Sequence, residues 1–106
     1  MNNNTQPRLI LPEGFDADWE YEMPYKGNLN GSFVELPGGK KYRITFYDPI
    51  ALRQDMKSRA ENGIPCFTEP GLVVVENVTI EAIVSAINYL YTDGFFLHLV
   101  PESNSK

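Results

Sequence analysis

The chain has 106 residues, 42% of them hydrophobic and 22% charged, and a formal net charge of −5. That length suits one domain able to bury its own core without a metal or disulfide staple. A lone cysteine excludes an internal disulfide, and an acidic balance disfavours broad binding to nucleic acid or to a membrane surface, because both need a positive footprint.

The charge is segregated along the chain. Residues 13–39 hold six acids and one lysine, whereas residues 40–59 hold Lys40, Lys41, Arg43, Arg53, Lys57 and Arg59 against only Asp48 and Asp55. Residues 60–106 return to six acids and one lysine.

Residues 1–12 are polar and contain Pro7 and Pro12, a composition that predicts a disordered tail. They carry no apolar run of the kind a secretory leader needs, so a cytoplasmic location is expected. Next, Phe15, Ala17, Trp19, Tyr21, Met23 and Tyr25 alternate with Asp16, Asp18, Glu20, Glu22 and Pro24. A period of two predicts an extended arm over 13–26, aromatics on one face and acids on the other, packed on a core at 32–101. Asn30-Gly31 reads as a two-residue hairpin turn, Ser32–Leu36 as a short strand, Pro37–Lys40 as a second turn and residues 41–47 as a strand. Residues 18–47 together would form a β-meander.

Asp48-Pro49 is a helix start, since aspartate caps free N–H groups and proline at the first helical position forfeits nothing. The helix should run to about Asn62, with Gly63 left-handed behind it and a narrow apolar stripe of Leu52, Met56 and Ala60, assisted by Ile50 or Ala51. Ile64–Phe67 is a candidate short strand and Thr68–Gly71 a turn. Leu72–Glu76 reads as a central strand covered on both faces. Thr79 caps a second helix with Val78 stapled to Ile83, and Asp93-Gly94 ends it. Ile83, Val84, Ile87 and Leu90 should bury against the sheet. Residues 95–100 read as a last strand, Pro101 stops it, and residues 102–106 form a frayed tail.

These elements predict a single α+β domain over 13–101, with an antiparallel-rich sheet of four to six strands and two helices on one face. From residue 41 the order strand, helix, short strand, strand, helix, strand matches a ferredoxin-like plait. A hairpin through 37–40 competes with that order for one side of strand 41–47. If the hairpin holds, 41–47 and 72–76 can instead lie parallel across a helical crossover.

The sequence is poor in chemistry. One histidine and one cysteine cannot build a tetrahedral zinc site, and Gly38-Gly39-Lys40-Lys41 leads into a strand where a phosphate loop needs a helix. No metal and no cofactor are expected. Cys66 lies in an apolar stretch and reads as a small core hydrophobe, and His98 as a surface or helix-packed polar residue.

The functional reading is a non-enzymatic interaction or regulatory domain. Its partner is another protein or a second copy of the chain, bound through Phe15, Trp19, Tyr21, Met23 and Tyr25. One alternative is a small dimeric plait-type enzyme with a pocket between sheet and helices, where His98, Tyr47 and Arg43 are the polar groups to inspect. Another is an anion or nucleic-acid binder using Lys40, Lys41, Arg43, Arg53 and Lys57.

Overall fold

A computed structural model describes residues 6–102. The expected disorder at residues 1–5 and 103–106 lies outside them. The fold is α+β. Its sheet has four strands: β1 (Arg8–Ile10), β2 (Asn28–Glu35), β3 (Lys41–Tyr47) and β4 (Leu72–Val74), side by side in that order. Pairs β1/β2 and β2/β3 are antiparallel, whereas β3/β4 is parallel, so the sheet is mixed. Helix α1 (Ala17–Lys26) precedes β2, α2 (Pro49–Glu61) links β3 to β4, and α3 (Ile80–Asp93) follows β4.

Alternation along β3 divides the two faces of the sheet. Tyr42, Ile44 and Phe46 point into the main core, where they meet Met23 of α1, Leu29 and Val34 of β2, Val78 before α3, and Ile83 and Ile87 on α3. Thr45 and Tyr47 are buried on the opposite face. The best-defined elements are those with local stop and start signals. Asp48 accepts from Ala51 N–H at 2.8 Å, and Thr79 accepts from Ala82 N–H at 3.1 Å. Gly94 closes α3 in the left-handed conformation, at φ 86°. The Pro37–Lys40 turn also forms, closed by Leu36 N–H donating to Lys40 O at 2.8 Å.

Several expectations are corrected. Arg8–Ile10, assigned to a disordered tail, pairs with Phe33–Glu35 as an edge strand. Leu9 packs on the core, and that anchoring supplies the apolar burial that composition did not suggest.

The extended arm is helix α1, and the N-terminal meander does not form. A period of two contains a period of four, so the same aromatics satisfy a helix. Local chemistry decides: the Asp16 carboxylate accepts from Trp19 N–H at 2.9 Å, Asp18 and Glu20 face the positive helix end, and Gly27 caps the other end at φ 76°. Pro24 lies inside the helix against its usual preference.

Asn30-Gly31 is a bulge within β2, not a turn. Leu29 pairs with Phe46 and Ser32 with Ile44, so β2 carries one residue more than β3 there. Gly31 supplies the positive φ of 84° that either structure would need, which is why the dipeptide misleads. The bulge brings the buried Ser32 hydroxyl to Ile44 O, to which it donates at 2.8 Å.

Leu72–Glu76 is an edge strand of three residues, not a central one: Val73 and Val75 join the core while Val74 is 46% exposed. Its parallel pairing to β3 across α2 is the arrangement expected if the 37–40 hairpin held.

Residues 64–67 are irregular and residues 95–98 form a 3-10 turn, so the strands a ferredoxin-like plait needs there do not form. Phe96 is buried against Tyr42 at a ring separation of 5.2 Å, while Leu97 is 85% exposed. Filling the space over Tyr42 with one aromatic turn defeats the alternation. Beyond it, Glu102 N–H donates to Lys41 O at 2.7 Å, which ties residue 102 to β3 where a frayed tail was expected.

Candidate functional site

Helix α1 splits the alternating aromatics into two stripes. Phe15, Trp19 and Met23 recur every four residues and turn inward. The rings of Phe15 and Trp19 lie 5.3 Å apart, and Met23 is buried. Tyr21 and Tyr25, also four apart, turn outward at 71% and 79% exposure, with their rings 5.8 Å apart. Asp18 shares the outward face with them, at i, i+3 and i+7. Glu22 flanks it and pairs with Lys26 at 3.6 Å. Of the five residues expected to meet a partner, Tyr21 and Tyr25 present their rings to solvent, and Phe15, Trp19 and Met23 pack on the chain's own core.

Helix α2 has the opposite charge. Only Ala51 is buried. Asp55 turns toward Tyr47, and the Arg59 guanidinium covers the Phe67 ring at 4.8 Å. The expected stripe of Leu52, Met56 and Ala60 is half-buried at Leu52 and exposed at the other two. The outward face carries Ile50, 70% exposed, with Arg53 and Lys57 at i+3 and i+7.

The basic candidates therefore do not form one cradle. Lys40 and Lys41 lie at the β2–β3 hairpin, and Arg53 and Lys57 lie on α2. Arg43 is already engaged, its Nε donating to Glu102 at 3.1 Å and its guanidinium lying 4.9 Å over the Phe33 ring.

One polar cluster has a perturbed proton affinity. The Tyr47 hydroxyl donates to Asp55 Oδ2 at 2.7 Å. Burial, then that hydrogen bond and the negative charges of Asp55 and Glu69, push its pKa up to about 12 against a smaller opposing pull from Arg59. The phenol is thus held neutral, which suits a structural donor and not a proton acceptor.

His98 is exposed on the 3-10 turn. Cys66, expected in the core, is exposed in the irregular segment after α2. That segment has no regular pairing to draw its apolar residues inward, and the sequence offered no sign of it. Among the described residues no group of three or more His, Cys, Asp or Glu could hold a metal ion, and no helix is long and apolar enough to cross a membrane.

Open depressions indent the surface of the described residues, two of them beside candidate side chains. The larger, about 660 Å³, lies by the hairpin, where Arg8 and Glu35 pair with each other across its wall. The smaller, about 220 Å³, is lined by Tyr42, Arg43, Gly71, Leu99 and Val100.

The features that sequence reasoning missed are an exposed acidic-aromatic stripe on one helix and an exposed basic-apolar stripe on another. The i, i+3, i+7 spacing of Asp18, Tyr21 and Tyr25, and that of Ile50, Arg53 and Lys57, were their traces in the sequence. No protein-family model matches the chain, and no curated protein and no solved structure matches it.

Proposed function

We propose that the chain is a protein-docking module that acts by binding and not by turnover, with the outward face of α1 as its contact surface. The carrying observation is the Tyr21–Tyr25 pair, both rings largely in water on a helix whose inward stripe already satisfies the core. Tyrosine brings a large rigid contact area and a polar tip at low conformational cost, which is why it is enriched at interfaces. Asp18 and Glu22 beside the pair would select a basic partner and repel an acidic one. The lone cysteine suits a reducing, cytoplasmic setting for that activity.

The test is site-specific photocrosslinking in cells of the source organism. A photoreactive residue replaces Tyr21 or Tyr25, with the same group at exposed Ser85 on α3 as control. Discrete cross-linked products from positions 21 and 25, and none from 85, are expected. No product, or an identical pattern from all three positions, overturns the reading.

A further inference from the structure

The two unpartnered helix faces complement each other. The outward stripe of α1 offers Asp18, Tyr21 and Tyr25, with Glu22 at its flank. The outward stripe of α2 offers Ile50, Arg53 and Lys57. Each runs over eight residues, about 10 Å along its axis from first to last. One is acidic and aromatic, the other basic and aliphatic, so carboxylates meet cations while Ile50 meets a tyrosine ring. A cation over a tyrosine face adds a further attraction.

Within one molecule the stripes lie on opposite sides of the sheet. Helix α1 packs through Met23 on the face of Tyr42, Ile44 and Phe46, and α2 reaches Tyr47 on the other face through Asp55. The two helices touch end to end, Asp48 N–H donating to Gly27 O at 2.8 Å, but helices on opposite sheet faces cannot lay these stripes along each other, so such a pairing is between copies. Resting on the docking reading above, we infer that the partner of α1 is α2 of a second copy, in a head-to-tail contact. Such a contact does not close on itself as a two-fold dimer does. It adds copies until a ring forms or the chain of copies ends. Two stripes of this length fall in the small, transient class, below about 1,200 Å² of buried surface. The association is therefore concentration-dependent and sensitive to salt, which screens exposed charge pairs.

The test uses sedimentation of the full chain and two variants. Variant one carries Tyr21→Ala and Tyr25→Ala, which spoils the α1 stripe alone. Variant two carries Arg53→Glu and Lys57→Glu, which spoils the α2 stripe alone. All four positions are exposed, so both variants should fold, with circular dichroism as the check. At about 1 mM protein and about 50 mM salt, the wild type should exceed the mass of a dimer, and salt near 0.5 M should weaken association about tenfold or more. Variant two alone should be monomeric, and variant one should associate at least about tenfold more weakly than wild type. Mixed in equal amounts they should form chiefly a complex of one copy of each, because each retains the stripe the other lacks.

A monomeric wild type at that concentration, or a mixture that forms no complex, overturns the inference. If the wild type is monomeric while positions 21 and 25 cross-link to a different protein, head-to-tail pairing fails and the docking reading stands. If no cross-link forms at all, both fail.

Discussion

The Tyr47 hydroxyl donates to the Asp55 carboxylate at 2.7 Å, and this bond joins α2 to the sheet face opposite the main core. With Ala51 the only buried residue of α2, the bond is a principal tie between that helix and β3. Tyr47→Phe should cost about 1.5–3 kcal/mol near neutral pH, the range for hydrogen bonds to a charged group. Tyr47 has its pKa pushed up to about 12, above an ordinary phenol near 10. The folded state thus holds the proton more tightly than the unfolded chain. The resulting stabilisation is complete below about pH 10 and is lost as pH rises through about 12. Urea midpoints of wild type and Tyr47→Phe should differ at about pH 9 and draw together as pH rises from about 10 to about 12. A constant gap would show that the phenol does not titrate with folding.

Gly71 presses its backbone on β3. A Cβ there would overlap the carbonyl oxygen of Arg43 and lie 2.9 Å from Ile44 Cδ1, and φ is 57°. Both the close approach and the left-handed backbone exclude a side chain. Gly71→Ala should lose about 2 kcal/mol or more and loosen β4 first, because Thr45 N–H donates to Gly71 O at 3.1 Å. Amide exchange at Thr45 and Val75 reads this directly. An unchanged melting temperature and unchanged protection would contradict it.

Ile87 and Val84 separate core from surface on α3. Ile87 is 2% exposed and Val84 is 40% exposed, although both belong to the apolar stripe legible in the sequence. Ile87→Ala should cost about 2–5 kcal/mol by losing packed methyl groups, and Val84→Ala less than about 1 kcal/mol. Chemical denaturation of the two variants checks the ranking. Equal losses would mean that the helix is rotated relative to this packing.

Pro24 lies in the last turns of α1 and withholds the N–H that would bond to the carbonyl of Glu20. Pro24→Ala should therefore raise stability by about 1–3 kcal/mol, with the gain in helix measured by far-ultraviolet circular dichroism. A loss of stability would show that the ring makes packing contacts worth more than the missing hydrogen bond.

Several features of this protein were determined by the sequence alone, and they are the local ones. Asp48-Pro49, Thr79 and Asp93-Gly94 set the ends of α2 and α3 because a cap bonds within a few residues of itself. Strand β3 was legible because alternation, a turn before it and a cap after it agree. The charge segregation was legible as well, since it requires only counting. Tertiary structure decided what a short window leaves degenerate. Spacing by two cannot separate an arm from α1, because every second residue includes every fourth. Asn30-Gly31 supplies a positive φ to a bulge as readily as to a turn. The run at 72–76 reads the same at an edge as at a centre, and only its neighbours decide which. Residues 95–98 become a 3-10 turn because Phe96 fills the space over Tyr42, a contact between positions more than fifty residues apart in the chain. The candidate site follows the same division. Its residue types were visible along the chain, but only the packing of Trp19 and Met23 inward turns Tyr21 and Tyr25 out, and only the tie from Asp55 to Tyr47 turns Arg53 and Lys57 to solvent.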